Sequence, residues 1–276
     1  VEDGVLTPMR IVGVGDNTVD KYLHLKMMFP GGNAVNVPVL ARRYGHDASY
    51  IGWLGDDTYG HLILDALVAE GLDVSRCRMI DGPNAYGEVS VIAGDRVFGK
   101  ADHGVTKLIA LTDDDLAFVR QHDLTHTSLY SHIERDLAKL SEASPVLSFD
   151  YSQEATRDYL SATLPHVDIA LLSCPHQTRS EAEDYVRWVC QQGPSLVIAT
   201  RGKLGSLVFD GARFYAQGIV ETEVVDTLGA GDAFAARFLV EYLSGTPIPE
   251  AMALGAQSAA GTCRYYGAFG YGMPFS

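Results

Sequence analysis

From Thr112 to Thr200 the chain alternates short apolar runs with stretches of helical spacing, and no other feature limits the fold so tightly. The runs Leu124 to Leu129, Pro145 to Phe149, Val167 to Leu172 and Ser195 to Thr200 have strand length. Helical segments between them predict a parallel sheet, because parallel neighbours need a crossover and a helix usually supplies it. Thr112-Asp113-Asp114-Asp115 opens one of those helices and is read as a cap, not a metal site. Upstream, Arg10 to Val14 is a first strand, Gly15 to Asp20 a polar turn, and Ser49 to Leu54 a second strand. A helix is expected from about Asn33 to Tyr44, stopped by Gly45, with Pro38 as the place for a kink. Leu62, Leu64, Leu67 and Val68 mark another helix, closed by Gly71. Tyr86 to Ile92 alternates, turns at Gly94-Asp95 and resumes through Arg96-Val97-Phe98, which is a hairpin pattern. Late in the chain two strands pair across Asp210-Gly211, and a last helix is expected around Ala251 to Arg264.

The chemistry concentrates in Val225-Asp226-Thr227-Leu228-Gly229-Ala230-Gly231-Asp232-Ala233-Phe234. Phe234, Phe238, Leu239, Tyr242 and Leu243 share one helical face just beyond it. Gly229, Ala230 and Gly231 therefore lead into a helix start, where unpaired amides and the positive dipole end attract anions. Asp232 would meet whatever those amides hold. A carboxylate there can take a proton from an attacking hydroxyl while the amides stabilise charge on a transferred phosphoryl group. Near the start, Gly13-x-Gly15 lacks the third glycine of a dinucleotide turn, since Thr18 stands there. Thr200-Arg201-Gly202-Lys203-Leu204-Gly205 is not a Walker A loop either, because no Gly-Lys-Ser/Thr follows at the right distance.

Charge and cysteine usage exclude other classes. With 21 basic and 35 acidic residues the net charge is −14, which disfavours nonspecific nucleic-acid binding. No apolar run approaches a membrane span, and no signal-peptide pattern opens the chain; Val1 to Pro8 read as a leader. Cys77, Cys174, Cys190 and Cys263 are scattered without a C-x-x-C pair, which points to a reducing, cytoplasmic setting. His122 and His126 have helix-face spacing but a strand boundary between them, and no other ligand cluster is seen, so no metal site is assigned to protein side chains.

Asp226-Thr227-Leu228-Gly229-Ala230-Gly231-Asp232 resembles the D-T-x-G-A-G-D signature of the PfkB (ribokinase-like) carbohydrate kinases. Gly31-Gly32-Asn33-Ala34-Val35-Asn36 resembles that family's G-G-x-x-x-N signature, Leu54-Gly55-Asp56-Asp57-Thr58-Tyr59-Gly60 its V-G-D-D-x-x-G turn, and Thr200 to Gly205 its T-x-G-x-x-G turn. The likeness runs from Gly13 to about Gly267. It implies one ribokinase-like domain over residues 1–276, a three-layer α/β/α sandwich with a mostly parallel sheet. A small β lid would lie at roughly residues 17–30 and 84–103, and a homodimer could form through it. The implied chemistry is ATP- and Mg²⁺-dependent phosphorylation of a sugar hydroxyl. In that reading Asp232 is the base, with Gly229, Ala230 and Gly231 cradling the phosphoryl group. Thr200, Gly202, Gly205 and Asp226 serve the nucleotide, and Asp16, Asp20, Gly32, Asn33 and Asn36 serve the sugar. Asp150 stands where related kinases carry D-x-N, with Ser152 in place of the Asn.

One stretch departs from the pattern. Family members carry N-x-x-E after a middle strand to organise Mg²⁺ through water, whereas Ser173-Cys174-Pro175-His176-Gln177 has neither residue. Magnesium would then be held mainly by nucleotide phosphates. For the acceptor, Gly15 to Asp20, Gly31 to Val37, Asp95 to Gly99 and Tyr265 to Ala268 resemble the fructoselysine 6-kinases of this family. The expected acceptor is thus a fructosamine such as fructoselysine, phosphorylated at the 6-hydroxyl. Asp16, Asp20 and Asp102 are candidates for its cationic end. The alternatives are a fructokinase, ribokinase or nucleoside kinase of the same superfamily, or a non-catalytic sugar or nucleotide sensor, which the intact Asp232 disfavours.

Overall fold

The computed structural model describes residues 8–92 and 95–275, so Val1 to Thr7 and the expected turn residue Gly94 lie outside it. In chain order its elements are β1 (Arg10–Val14), β2 (Thr18–Tyr22), β3 (Met27–Gly31), α1 (Asn33–Arg43), β4 (Asp47–Ile51), β5 (Trp53–Gly55), α2 (Thr58–Ala69), β6 (Arg78–Ile80), β7 (Tyr86–Ile92), β8 (Asp95–Asp102), α3 (Asp113–Val119), β9 (Leu124–Ser128), α4 (Leu137–Ala143), β10 (Leu147–Asp150), α5 (Arg157–Thr163), β11 (Ile169–Ser173), α6 (Arg179–Cys190), β12 (Leu196–Thr200), β13 (Ser206–Phe209), β14 (Phe214–Gln217), α7 (Ala230–Leu243), α8 (Ile248–Thr262) and β15 (Met273–Pro274).

The main sheet has the order β14-β13-β12-β11-β10-β9-β1-β4. Strands β4 through β12 in that row are parallel, and β13 and β14 return antiparallel across the Asp210-Gly211 turn. Its apolar strands are covered on both faces, as a parallel sheet requires. Leu116, Leu140, Leu160 and Val186, from α3 to α6, bury against one face. Leu40, Phe238 and Met252, from α1, α7 and α8, bury against the other. The result is a three-layer α/β/α sandwich. The chain leaves β1 toward β4 on one side and returns to β9 on the other, so the strand order reverses at β1. Ligands of such sheets bind outside the carboxyl ends at that reversal.

Local chemistry sets the element ends. Asp57 Oδ1 accepts from the N–H groups of Tyr59 (3.0 Å) and Gly60 (2.9 Å) to start α2. The Thr112 and Asp115 side chains form the capping box of α3. Pro38 lies inside α1 and cannot bond the Ala34 carbonyl. That carbonyl turns instead against Gly13 of β1, where a Cβ would sit 1.8 Å from the oxygen. Glycine at position 13 thus lets a proline-containing helix pack directly on the sheet.

A second sheet, β15-β3-β2-β7-β8, lies apart from the first. Three expectations change here. Gly15 to Asp20 is not simply a turn, since Thr18–Tyr22 is a strand pairing with both β3 and β7. The hairpin of β7 and β8 is accordingly not isolated but continues this sheet. The expected strand Ser49 to Leu54 is broken at Gly52 into β4 and β5, which belong to different sheets. The cause is Tyr50, whose buried hydroxyl donates to the Gly15 carbonyl (2.7 Å) and would lie 2.1 Å from any Cβ at position 52. Among the described residues no helix is long and apolar enough to cross a membrane.

Candidate active site

The carboxyl ends of β1, β9 and β10 meet the start of α1 around Asp16. Its Oδ1 accepts from Ser128 Oγ (2.7 Å), Ser131 Oγ (3.0 Å) and the Ala34 N–H (3.2 Å). This one buried carboxylate joins the strand ends to the glycine turn that precedes α1. Gly32 caps α1 at φ 112, with no room for a side chain between Asn17 Cα and Asp16 Oδ2. Asp20, on β2 of the second sheet, points at the same turn: a Cβ at Gly31 would be 2.7 Å from its Oδ2.

Helix α7 delivers Asp232 in its first turn, 9% exposed. Asn36 Nδ2 donates to Asp232 Oδ2 (2.7 Å), and Asn33 Nδ2 lies 3.2 Å from Asp232 Oδ1 and 3.0 Å from Asp150 Oδ2. The two asparagines stand three apart on α1, so one helical face presents both amides to the carboxylates. Burial pushes the Asp232 carboxyl up to about 8, with the nearby Asp150 charge next in effect, Asn36 opposing, and Asp16 and Asp20 adding. Burial likewise raises Asp150 to about 6, opposed by the Ser152 N–H and Asn33. A carboxylate held in this way is a good acceptor for a hydroxyl proton near neutral pH. Asp150 is the residue for which the sequence suggested a place but no role. Its importance arises from Asn33, 117 residues away along the chain.

At the head of α7, Gly229 is in the left-handed conformation (φ 76). A Cβ there would meet Ala268 Cβ at 2.4 Å, so the segment Tyr265 to Ala268 packs directly under the turn. The Ala230 N–H leans back to the Thr227 carbonyl at 3.3 Å, a long contact that a ligand can displace. Beside Gly231 the space is open, with nothing within 4 Å of a built Cβ. Asp226, assigned by resemblance to the nucleotide, is buried and occupied by the protein itself. Its carboxylate takes hydrogen bonds from the Tyr22 hydroxyl, the Leu228 N–H (3.1 Å) and the Gly267 N–H (3.2 Å). It therefore braces the turn against β2 of the second sheet.

Thr200 closes β12, paired with Ser173 at the end of β11, at the same edge of the sheet as Asp16 and Asp150. Gly202 (φ 54) and Gly205 (φ 82) shape the turn that follows. Arg201, 7% exposed, donates from Nη2 to the Gln177 carbonyl (3.0 Å) and fastens this turn to the one after β11. The latter turn does not suit a directly bound divalent ion. Burial raises the Cys174 thiol to about 11, so it stays protonated, and among the described residues no group of three or more His, Cys, Asp or Glu could hold a metal. His126 is buried in β9, with Nδ1 2.9 Å from Ser148 Oγ, and burial lowers it to about 3. It is a core histidine.

Comparison with known proteins gives this geometry a setting. The family model described as pfkB family carbohydrate kinase matches residues 17–271. The chain is 40% identical over 271 residues to fructosamine kinase FrlD of Bacillus subtilis (strain 168), covering 97% of this chain and 95% of that protein. It is 37% identical over 256 residues to fructoselysine 6-kinase of Escherichia coli (strain K12), covering 93% and 98%. Among solved structures, an Arabidopsis thaliana ribokinase complexed with ribose and ATP superposes with a TM-score of 0.83 at 22% identity, over 95% of each chain.

Proposed function

The chain belongs to the pfkB family of carbohydrate kinases, and from that premise we propose that it transfers the γ-phosphoryl group of ATP to the 6-hydroxyl of a fructosamine such as fructoselysine. The observation that carries the chemistry is the buried Asp232, joined to Asn36, Asn33 and Asp150 at the head of a helix with open space beside Gly231. The acceptor rests on the two curated relatives, which are named for fructosamines and match nearly end to end.

In this reading the sugar lies between Asp16, Asp20, Gly32, Asn33 and Asn36, with its reacting hydroxyl on Asp232. As the hydroxyl oxygen attacks phosphorus, its proton passes to the carboxylate and ADP leaves. The Gly229 to Gly231 turn receives the transferred group through its amides, where the helix dipole favours anionic oxygens. Thr200, Gly202 and Gly205 hold the nucleotide on the adjoining strands. The second sheet, which carries Asp20 and is braced to the turn through Tyr22 and Asp226, acts as the lid and keeps water from the phosphoryl group. Magnesium would be held mainly by the phosphates of ATP, since the Cys174 to Gln177 turn offers no anionic ligand. Most of the rate then comes from positioning and charge stabilisation. Coupled measurement of ADP release with fructoselysine, fructose and ribose tests the reading. It predicts the highest kcat/KM for fructoselysine, and a preference for free fructose would defeat it.

A further inference from the structure

Strands β9 and β10 are neighbours in the sheet, and each leaves it through a non-glycine residue in the left-handed region. His132 has φ 53 and Ser152 has φ 53. Such conformations cost of order 1 kcal/mol each and persist where the surroundings hold them, often at ligand sites. Both residues lie beside the acceptor region. Ser131, next to His132, bonds Asp16, and the Ser152 N–H donates to Asp150 Oδ1 at 2.7 Å.

The two strained turns position Tyr130 between them. Its hydroxyl donates to Ser152 Oγ at 3.0 Å. Contacts therefore run without a break from Asp232 through Asn33, Asp150 and Ser152 to Tyr130. At the outer end stands the exposed Glu154, close enough to act on the Tyr130 phenol, which burial chiefly raises to about 12. On the other turn the His132 ring meets the His103 ring edge to face at 4.7 Å, and His103 follows directly on β8 of the second sheet. His132 Nε2 is buried and has no hydrogen-bond partner. A buried polar atom of this kind is normally paired, and a ligand group or an ordered water can supply the partner.

We propose that Tyr130, His132, Ser152 and Glu154 form the subsite for the nitrogen-bearing substituent of the acceptor, with Glu154 pairing its ammonium and His132 Nε2 bonding the part nearest the sugar. This rests on the fructosamine reading above and names the residues that enforce it. Unsubstituted fructose leaves the buried His132 Nε2 without a partner, while the exposed Glu154 returns to water, so the discrimination falls mainly on the buried group.

The test compares kcat/KM for fructoselysine and fructose in the wild type, Glu154→Gln and Tyr130→Phe, with melting temperatures measured alongside. Each substitution should lower the fructoselysine-to-fructose ratio, Glu154→Gln by about 2- to 5-fold, the usual effect of losing one solvent-exposed ion pair. The loss should appear in KM more than in kcat, because the substituent is bound equally before and during transfer. A wild type that prefers fructosamine, with both variants keeping the same ratio, overturns the subsite alone. A wild type without that preference overturns the acceptor assignment itself.

Discussion

Replacing Asp232 with asparagine should make the enzyme inactive and, above about pH 7, more stable. The carboxyl is 9% exposed and is pushed up to about 8, first by burial and second by Asp150. In the unfolded chain an aspartate titrates near ~3.9. Because the folded value is the higher one, the group's favourable contribution is complete below about pH 4 and is lost as pH rises through 8. At about pH 7 the native site bears a cost of roughly 3 units, near 4 kcal/mol at ~1.36 kcal/mol per unit. Asparagine removes that cost but keeps only one acceptor oxygen for Asn36 and Asn33, which returns about 1–2 kcal/mol. The net gain is on the order of 2 kcal/mol, or about 4–8 °C in Tm for a chain of this size. Scanning fluorimetry at about pH 5.5 and pH 8.5 should show the variant's advantage growing with pH, while loss of a general base lowers kcat about 10²–10⁴-fold. A variant with near-normal turnover, or one less stable than the wild type at the higher pH, refutes the reasoning.

Other expectations follow from the same geometry. For the wild type, kcat/KM should rise with pH and level off above about 8, since it reports the free enzyme's base; a flat profile from pH 6 to 9 would exclude Asp232 from that role. Chelation of Mg²⁺ should abolish turnover while Gln177→Ala changes kcat by less than about twofold, as expected if the metal is held by the phosphates of ATP; a steep loss in that variant would give Gln177 a direct part. Gly229→Ala forces a left-handed alanine against Ala268 and should lower kcat/KM at least about 10-fold by moving the turn, as steady-state kinetics with a melting curve would show.

The sheet was legible because its central strands are buried on both faces, and continuous apolar runs such as Val167 to Leu172 have few other homes. For the second sheet only the hairpin of β7 and β8 could be read from the residue pattern, and its other segment, within residues 17–30, came from the family resemblance alone. Its strand Thr18–Tyr22 reads Thr-Val-Asp-Lys-Tyr, polar along the face toward the site, and a strand that covers a hydrophilic cavity lacks the apolar pattern by which strands are recognised. Asp232 was suggested by the glycine-rich helix start before it, whereas Asn33 and Asn36 were proposed from the family signatures and Asp16 from the likeness to fructoselysine 6-kinases. Asp150 and Asp226 show the limit. One gains its place from an asparagine in a distant helix, and the other is used up by a tyrosine hydroxyl from the second sheet. The left-handed turns at His132 and Ser152 are only weakly marked, since neither is a glycine; Ser152 stands where relatives carry an asparagine, a residue that tolerates that conformation.

A competition reaction reads the choice of acceptor directly. Equal concentrations of fructoselysine and fructose are mixed with limiting ATP, Mg²⁺ and the enzyme, and the phosphorylated products are quantified by mass spectrometry. Their initial ratio equals the ratio of kcat/KM values, free of differences in enzyme concentration. Fructoselysine phosphate should predominate by at least about 10-fold, the effect of one buried polar group left unpaired. Equal amounts of the two products, or an excess of fructose phosphate, would contradict the account.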